Sequence, residues 1–348
     1  MSNTCDSYSE SSQIQEPIDI VVLWVDGNDP KWLAEKAKYQ EIKTTDANAV
    51  NRFRDWGLMK YWFRAIENYA PWVRTIHFVT WGHTPAFLKK DHPKLHIVRH
   101  EDYLPRENLP LFNACAIEMS IHKIAGLAER FIFFNDDMFL LRPVSQEDFF
   151  SNGLPVARGN EKIEPPIGKL MAWYGMYCND LGLINKHFEK KKAVKRFRKK
   201  YIHKTYGLKN NIKTFLLEQM YKGKFVGFEF PHSPAAYCKQ SFEAIWNAEP
   251  ELMRQTTANR FRTCYDVNQW AVLWWQIASG QFSPGQVDIA CFDANMWATD
   301  MICQTIQKQS HDMLCINDPD ESIDFETITQ RIQAAFESIL PVKSSFEK

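Results

Sequence analysis

The sequence lacks an excess of charge of either sign, and it lacks any long apolar run. Lysine plus arginine and aspartate plus glutamate number 42 each among the 348 residues, so the formal net charge is zero. Proteins that bind nucleic acid through their overall charge are markedly basic, so this balance gives no case for a nucleic acid partner. No stretch approaches the roughly 20 apolar residues that a membrane-spanning helix needs.

Closely spaced cysteines are also missing. The eight cysteines are dispersed along the chain and none forms a Cys-x-x-Cys motif, which argues against a structural zinc site. Because they lie among core-like segments, we expect most of them to be buried, reduced thiols of a cytoplasmic protein. Residues 1–16 are polar and rich in serine, without the basic and apolar segments of a signal peptide, and we expect a disordered tail there.

The sequence does contain a short apolar run that leads directly into an amide and two carboxylates. Residues 131–134 are all apolar, which predicts a buried strand, and Asn135, Asp136 and Asp137 follow it. Ligands of open α/β sheets bind at the carboxyl ends of the strands. Two adjacent carboxylates repel each other unless a cation lies between them, and their oxygens suit Mg²⁺ or Mn²⁺ with a diphosphate. The competing interpretation is an ordinary polar turn.

The succession of apolar segments predicts an α/β fold. Strands expected over residues 18–25, 75–80 and 95–98 alternate with helical segments, which implies a mostly parallel sheet. The near-continuous apolar character of the first strand is typical of a central strand that is covered on both faces. We expect two halves of one catalytic domain with an insertion of helices and loops between them: residues 17–150, 151–225 and 226–348.

Two polar segments of the first half are candidates for contacting a phosphate-bearing ligand. Asp26 and Gly27 follow the first strand, at the position where doubly wound folds often bind a nucleotide. Arg52 and Arg54 precede a predicted helix, and their guanidinium groups suit phosphate oxygens. A surface salt bridge with Asp55 is an equally good explanation of these arginines.

A third candidate is the pair Glu118 and His122. The two residues are four apart in a helix predicted over residues 113–127, so they would share one face of that helix. The helix leads directly into the strand that precedes Asp136, which favours a phosphate-binding role. A solvated or core histidine is the alternative.

His232 is the candidate general base. It stands in the segment Pro-His-Ser-Pro, after a strand predicted over residues 225–230. Proline fixes its own φ and restricts the residue before it, so the histidine backbone is preset. Such a histidine suits positioned proton transfer.

A basic amphipathic helix is predicted to begin at Lys186 and to end at Lys204. The segment contains ten lysine or arginine residues, one acidic residue and regularly interleaved apolar residues. Three interpretations remain open: a solvated helix face, a surface that holds an anionic polymer, and a surface that docks on an anionic inner membrane.

Four blocks of the sequence resemble the conserved regions of the Stealth proteins. This family includes bacterial capsular polysaccharide phosphotransferases and the α/β subunit of the lysosomal-enzyme N-acetylglucosamine-1-phosphotransferase. The blocks are residues 18–30, 52–144, 230–266 and 315–347, and they cover more than half of the chain. The second block is the most specific, and its motifs are Arg54-Asp55, Tyr69-Ala70-Pro71-Trp72-Val73, Ala116-Ile117-Glu118, Ile121-His122 and Asn135-Asp136-Asp137.

The resemblance implies a glycosyltransferase-A-like Rossmann core and a phosphotransferase reaction. A sugar-1-phosphate would pass from a nucleotide sugar, expected to be a UDP-sugar, to a hydroxyl of a polysaccharide or oligosaccharide acceptor. Family site residues carry over to Asp137, His232, Arg262 and Asn317, the matched positions of the Asn-Asp-Asp, Pro-His, Arg-x-x-x-Asp and Asn-Asp motifs. The chain lacks the cysteine-rich modules of the large mammalian members and looks like the minimal bacterial form.

These observations define an expected site. Asp136, Asp137 and Asp318 would hold the Mg²⁺ or Mn²⁺ ion, Arg262 would clamp the phosphate oxygens, and His232 would accept the proton of the attacking hydroxyl. The residues expected to contact the donor are Asp26, Gly27, Arg54, Asp55, Glu118, His122, Asn135, Asn317 and Asp266.

Two other functions remain open. The first is a metal-dependent glycosyltransferase that releases a nucleoside diphosphate, since both reactions need a metal-bound diphosphate. The second is a carbohydrate-binding protein without turnover, since the twelve tryptophans suit stacking on sugars. We expect a cytoplasmic protein with peripheral contact to the inner membrane through the basic segment.

Overall fold

The computed structural model describes residues 16–39, 48–165, 172–318 and 324–348. The expected disordered tail therefore lies outside the described residues, apart from Glu16. The strands are β1 (Ile18–Leu23), β2 (Ile76–Thr80), β3 (Leu95–Arg99), β4 (Arg130–Phe134), β5 (Met138–Leu140), β6 (Phe150–Ser151), β7 (Leu154–Ala157), β8 (Ala235–Cys238), β9 (Ser283–Pro284), β10 (Ile289–Asp293) and β11 (Met313–Asn317).

The α-helices occupy the connections between these strands. They are α1 (Pro30–Ala37), α2 (Met59–Tyr69), α3 (Ala114–Glu118), α4 (Ala172–His187), α5 (Lys190–Tyr201), α6 (Gly207–Met220), α7 (Lys239–Ala248), α8 (Pro250–Ala258), α9 (Gln269–Ala278), α10 (Met296–Lys308) and α11 (Phe325–Ile339). Within the described part of the chain, no helix is both long enough and apolar enough to cross a bilayer.

The central sheet has the strand order β3-β2-β1-β4-β8, and all its strands are parallel except β8. The order 3-2-1-4 of the parallel part is that of a Rossmann fold. Successive side chains of β1 enter two different cores, because Ile20 and Val22 pack on one face of the sheet and Val21 packs on the other. The expected α/β fold with a mostly parallel sheet and a helical insertion is therefore confirmed.

The antiparallel strand β8 brings the Pro-His-Ser-Pro segment to the carboxyl edge of the sheet. Ala235, its first residue, pairs with Phe133 near the end of β4. The residues just before Ala235 must therefore lie beside Asn135, which follows β4. The prediction of a strand over residues 225–230 is wrong, because only Phe228 makes an isolated bridge, to Glu161. Gly227 has φ of +121°, which interrupts an extended run at that point.

A second sheet, with the order β10-β11-β5, lies against the first. Strand β11 runs antiparallel to β5, and Cys315 pairs with Met138. The backbone amide of Ile316 also donates to the carbonyl of Asp137 at 2.9 Å. This pairing places Asn317 and Asp318 beside the two aspartates that follow β4.

The basic segment is not one helix. Helix α4 ends at His187, α5 begins at Lys190, and α5 is itself kinked at Phe197. Lys190 is fully buried and pairs with Glu161 at 2.7 Å. The prediction of one amphipathic helix with its cations in solvent is therefore wrong, since the segment is broken and one of its lysines is part of the core.

The cysteines partly depart from expectation. All seven cysteines in the described ranges are free thiols, but only Cys115, Cys238 and Cys315 are buried. The prediction that most are buried is therefore wrong. Cys291 is exposed because it lies on β10, the edge strand of the second sheet.

Phe346 and Glu347 pack against helix α2. Phe346 is buried against Phe63, with 5.1 Å between the ring centroids. The guanidinium of Arg64 donates to both carboxylate oxygens of Glu347, at 2.8 Å and 3.0 Å, and to the carbonyl of Leu340 at 2.7 Å. The side chains of Arg64 and Glu347 are almost entirely excluded from solvent.

Candidate active site

A cavity of about 560 Å³ opens at the carboxyl edge of the central sheet, where β1 and β4 end. Aromatic side chains form one side of it, and a buried cluster of Trp32, Phe53 and Phe112 supports that side. The predicted site residues that line the cavity are Arg54, Asp55, Glu118, Asn135, Asp136, Asp137, His232, Arg262, Asn317 and Asp318.

Three carboxyl groups, those of Asp55, Asp136 and Asp137, lie together on one side of the cavity. Burial is the largest cause that raises the pKa of Asp136 well above its ordinary value, and the charges of Asp137 and Asp55 add to it. Burial also raises the pKa of Asp55. Oδ1 of Asp137 is buried and has no hydrogen-bond partner among the described residues. Carboxylates that repel one another around an unsatisfied oxygen fit a divalent cation such as Mg²⁺ or Mn²⁺.

Asp318 differs from the other acidic residues because it faces an arginine. Its Oδ2 lies 3.4 Å from Nε of Arg54, and both side chains are nearly buried. The Arg54 guanidinium also lies over the ring of Phe325, 4.8 Å from its centroid. The backbone carbonyl of Asp318 accepts a hydrogen bond from Asn51 at 2.7 Å, which fixes this corner of the cavity.

Arg262 enters the cavity on a loop that Asp266 holds in place. The carboxylate of Asp266 accepts hydrogen bonds from Asn113 at 3.0 Å, from Asn259 at 2.6 Å and from the backbone amide of Thr263 at 2.8 Å. Asp266 is fully buried beneath the loop, outside the cavity. Its expected contact with the donor is therefore replaced by a positioning role, because both of its oxygens are already occupied.

Glu118 and His122 do not share a helix face. Helix α3 ends at Glu118, and a separate 3₁₀ turn begins at Ile121, so the four-residue spacing no longer aligns the two side chains. Glu118 lines the cavity, and burial raises the pKa of its carboxyl group. His122 instead stacks on Phe242 in the core, with 5.5 Å between centroids, and burial lowers its pKa to about 4. The expected phosphate contact of His122 is a wrong prediction.

Asp26 and Gly27 support the wall of the cavity from behind. Oδ1 of Asp26 accepts from the backbone amide of Asn28 at 2.8 Å, and its own amide donates to His83 at 2.8 Å. A Cβ at Gly27 would collide with the carbonyl oxygen of Phe53, which lines the cavity. The glycine therefore allows the backbones of residues 27 and 53 to approach closely. Neither Asp26 nor Gly27 lines the cavity, so the expected direct contact with the donor is replaced by this supporting role.

His232 is held between two amide side chains. Its Nδ1 lies 2.9 Å from Oδ1 of Asn317, and its Nε2 lies 3.2 Å from Nδ2 of Asn135. Asn317 is oriented in turn, because its Nδ2 donates to Oδ1 of Asp293 at 3.1 Å. These contacts assign the proton to Nδ1 and leave the lone pair on Nε2. Asp137 Oδ2 lies 3.7 Å from Nδ1, close enough to stabilise a protonated ring.

Three site residues escaped the sequence-based prediction: Asp293, Cys291 and Cys315. Cys291 and Asp293 lie on β10 and pair with Cys315 and Asn317 on β11. Sγ of Cys315 lies 3.2 Å from Nδ1 of His232, and Sγ of Cys291 lies 3.5 Å from its carbonyl oxygen. A hydrogen bond with Cys315 lowers the pKa of Cys291 to about 7. The apolar residues before Asn317 are typical of a strand, so Cys315 could have been found from the sequence. No local pattern indicated that β10 would pair with that strand.

The ligand atoms of Asp137, His232 and Cys315 lie within 4.8 Å of one another. This set offers oxygen, nitrogen and sulfur donors, which softer ions such as Zn²⁺ prefer over Mg²⁺. Asp137 also belongs to the carboxylate cluster. A metal ion bound to Asp137 could therefore be coordinated either by carboxylates or by His232 and Cys315.

A second, smaller cavity of about 50 Å³ adjoins the first at His232. Both cavities are lined by Phe230, His232, Gln269 and Trp270. The smaller cavity also includes Arg158, which pairs with Glu229 at 3.2 Å. The smaller cavity has room for a small group such as a single hydroxyl and not for a whole sugar ring, so it marks a position beside His232 where one group of a larger acceptor fits.

Comparison with protein families gives two matches. The models described as conserved regions 1 and 2 of Stealth proteins match residues 16–44 and 52–156. The solved apo structure of WbbM, a bifunctional glycosyltransferase, aligns with 94% of this chain, which spans about half (52%) of that one. Its TM-score of 0.39 and its 10% identity are too low to establish a shared fold.

Known proteins of similar sequence are more informative. The capsular polysaccharide phosphotransferase WcwK of Streptococcus pneumoniae is 37% identical over 96% of this chain and 98% of its own. The exopolysaccharide phosphotransferase cps2G of Lactiplantibacillus plantarum is 38% identical over 95% and 96%. The receptor polysaccharide phosphotransferase WefC of Streptococcus oralis is 35% identical over 95% and 99%. The likeness therefore extends over nearly the whole of each chain.

Proposed function

The chain belongs to the Stealth family, and from this premise we propose that it transfers a sugar-1-phosphate from a nucleotide sugar to a hydroxyl of a saccharide acceptor. The product is a phosphodiester, and the other product is a nucleoside monophosphate. The position of His232 where two cavities adjoin, 3.7 Å from Asp137 of the carboxylate cluster, is the observation that supports this reaction most directly.

The donor diphosphate binds at the acidic side of the large cavity. Asp136 and Asp137 would hold the divalent cation, and their mutual repulsion and the unsatisfied oxygen of Asp137 support this assignment. A bound Mg²⁺ or Mn²⁺ neutralises charge on the departing nucleoside phosphate. Arg262 lines the same cavity and offers a planar donor group to the non-bridging oxygens.

The aromatic side of the cavity suits the nucleoside. Trp32, Phe53 and Phe112 are buried behind that side, and Trp81, which packs against them, is partly exposed and lines the cavity. An exposed aromatic face of this kind binds a nucleobase by stacking, and a UDP-sugar would place its uracil on Trp81. Assays with nucleotide sugars that differ in their base test this assignment.

The reacting hydroxyl of the acceptor lies next to His232, where the two cavities adjoin. It displaces the side-chain amide of Asn135 from Nε2 of His232 and donates its proton there, while the oxygen attacks the phosphorus that carries the sugar. The bond from that phosphorus to the bridging oxygen breaks, and the nucleoside monophosphate leaves with the electron pair. Protonated His232 is then stabilised by Asp137, 3.7 Å away.

Trp270 and Phe230 form the wall that the two cavities share, with 4.7 Å between their centroids. Their faces suit the apolar side of a sugar ring, and Arg158 lies next to them for a polar contact. We assign the reaction to the cytoplasm, with a saccharide acceptor for capsular or exopolysaccharide synthesis.

The released nucleotide tests this proposal. The protein is incubated with an oligosaccharide acceptor, Mg²⁺ and a panel of nucleotide sugars, and the nucleotide products are separated by ion-exchange chromatography. A nucleoside monophosphate together with a phosphodiester detected by ³¹P NMR supports sugar-1-phosphate transfer. A nucleoside diphosphate would make the chain an ordinary glycosyltransferase. Binding of the acceptor without any released nucleotide would make it a carbohydrate-binding protein.

A further inference from the structure

Helix α6 presents a ridge of apolar side chains to solvent. Six residues of this ridge are between 43% and 77% exposed: Leu208, Ile212, Phe215, Leu216, Met220 and the adjoining Tyr221. Leu208, Ile212, Leu216 and Met220 follow one another at intervals of four, so they lie along one face of the helix. The opposite face, with Thr214 and Leu217, is buried against the protein.

Such a continuous apolar ridge is unusual on the surface of a monomeric soluble protein. Single exposed apolar residues are normal, but six along a fourteen-residue helix and its end form one surface. Large exposed apolar patches generally mark contacts with a partner or a membrane.

The charges beside the ridge are positive. Lys209 and Lys213 lie on α6 itself, and exposed Lys222 follows it. The one acidic residue of α6 is Glu218, and Arg198 of helix α5 neutralises it at 2.9 Å. The ridge therefore has lysines along one border and the basic helix α5 along the other.

Some lysines of helix α5 bind groups inside the protein, and others are exposed to solvent. Lys190 is buried with Glu161, and Lys200 donates to the carbonyl oxygens of Gly280 and Phe282 at 2.7 Å. Lys191 and Lys195 are exposed and share one face of α5 ahead of the kink at Phe197, and Lys199 is exposed after the kink.

We propose that α6 docks on a lipid bilayer that contains anionic lipid. The apolar ridge would lie among the upper parts of the acyl chains, and the lysines on both sides would lie at the level of the headgroups. Amphipathic helices with lysines beside an apolar face bind membranes in this orientation. A partner that covers this surface must contact the ridge with apolar groups and the lysines on both sides with negative charges. An anionic bilayer supplies acyl chains and charged headgroups over the whole length of the helix.

Vesicle binding tests the ridge. The full chain is sedimented with vesicles of phosphatidylcholine containing about one third phosphatidylglycerol, and with vesicles of phosphatidylcholine alone. The double variant Leu208→Ser/Met220→Ser is expected to lose about tenfold in affinity for the anionic vesicles. The matched control Leu33→Ser/Val342→Ser removes similarly exposed apolar residues from α1 and from the segment after α11. It is expected to bind as the wild type does.

The same variants test whether the ridge instead binds a second copy of the chain. Light scattering in the absence of lipid measures the oligomeric state of the wild type and of both variants. If the ridge variant binds vesicles as well as the control does, the proposal is wrong. If vesicles are not bound and the ridge variant converts a dimer into a monomer, the ridge is an interface between copies and the proposal is also wrong. Circular dichroism checks that the variants are folded, which is expected because the altered residues are exposed.

Discussion

The amide oxygen of Asn317 lies 2.9 Å from Nδ1 of His232. Since Asp293 binds the amide nitrogen of Asn317, the oxygen has no alternative but to face the histidine. The ring proton is thereby held on Nδ1, and Nε2 carries the lone pair, which accepts from the side-chain amide of Asn135 until a substrate hydroxyl replaces it. A row of three residues from two parallel strands and one loop thus determines the tautomer of the proposed catalytic histidine.

Replacing His232 tests its role as the base. His232→Ala is expected to lower turnover by ~10²–10⁴-fold while donor affinity changes little, because proton transfer is lost and the donor site remains. Steady-state kinetics and calorimetric titration of the donor measure the two quantities. Loss of donor affinity with unchanged turnover would instead make His232 a phosphate ligand.

Asp293 is predicted to be a positioning residue. Asp293→Ala frees the amide of Asn317 to turn over and should lower turnover by about tenfold, whereas Asp293→Asn keeps an oxygen acceptor and should restore most of it. The KM for the donor should stay constant in both variants. Wild-type turnover in both variants would show that the orientation of Asn317 is unimportant.

Metal dependence is predicted at the end of β4. Asp137→Ala should abolish transfer without changing the thermal midpoint, because the residue is partly exposed after a strand and outside the core. A chelator should abolish the activity of the wild type, and Mg²⁺ or Mn²⁺ should restore it. Restoration by Zn²⁺ alone would favour the set of Asp137, His232 and Cys315, and full activity in chelator would exclude a metal role.

Asp19, at the start of β1, should make stability depend on pH. Burial alone would raise the pKa of its carboxyl group, but hydrogen bonds from His77, Arg74 and the backbone of Ala128 hold the pKa below its ordinary value. The folded state therefore keeps this group ionised to lower pH than the unfolded state does. Its contribution is complete above the unfolded pKa of ~3.9 and is lost as the pH falls through the folded pKa.

The variant Asp19→Asn isolates this contribution. It is expected to lower the free energy of unfolding by about 3 kcal/mol at neutral pH, since it leaves buried donors without their charged partner. The difference from the wild type should shrink in acid. Urea unfolding at pH 7 and pH 3 measures both values, and an equal difference at the two pH values would contradict the assignment.

The exposed lysines of helix α5 can be tested apart from the ridge of α6. Lys191→Gln, Lys195→Gln and Lys199→Gln together are expected to weaken binding to anionic vesicles, by about 1 kcal/mol for each lysine near the surface. The size of the product made on a soluble acceptor without lipid should not change. Shorter products at an unchanged initial rate would show that these lysines hold the anionic polymer instead.

The sequence allowed the core of the fold to be predicted because its signals are local. Four consecutive apolar residues before Asn135 mark β4, and a similar run marks β1, since buried parallel strands need apolar side chains on both faces. Asp136 and Asp137 were found for the same reason, because they directly follow such a run. Their position at the carboxyl edge then follows from the topology.

Other parts of the site depend on contacts that no local pattern records. His122 lies four residues after Glu118, but the break after α3 turns it into the core. Asp293 reaches Asn317 only because β10 pairs with β11. The ridge of α6 could not be recognised from its apolar residues alone, since a buried helix has the same composition, and only the packing shows which face is covered.

The fastening of Glu347 to Arg64 has a practical consequence for recombinant work. Deleting residues 346–348 would leave the buried guanidinium of Arg64 without its main counter-charge and would open the contact of Phe346 with Phe63. Glu337, 3.1 Å from the same guanidinium, would remain as a partly exposed partner, so the expected loss is below the about 3–5 kcal/mol measured when a buried charge loses every partner. A purification tag is therefore better joined ahead of β1, and expression vectors that trim the last residues should yield a protein that unfolds at a lower temperature.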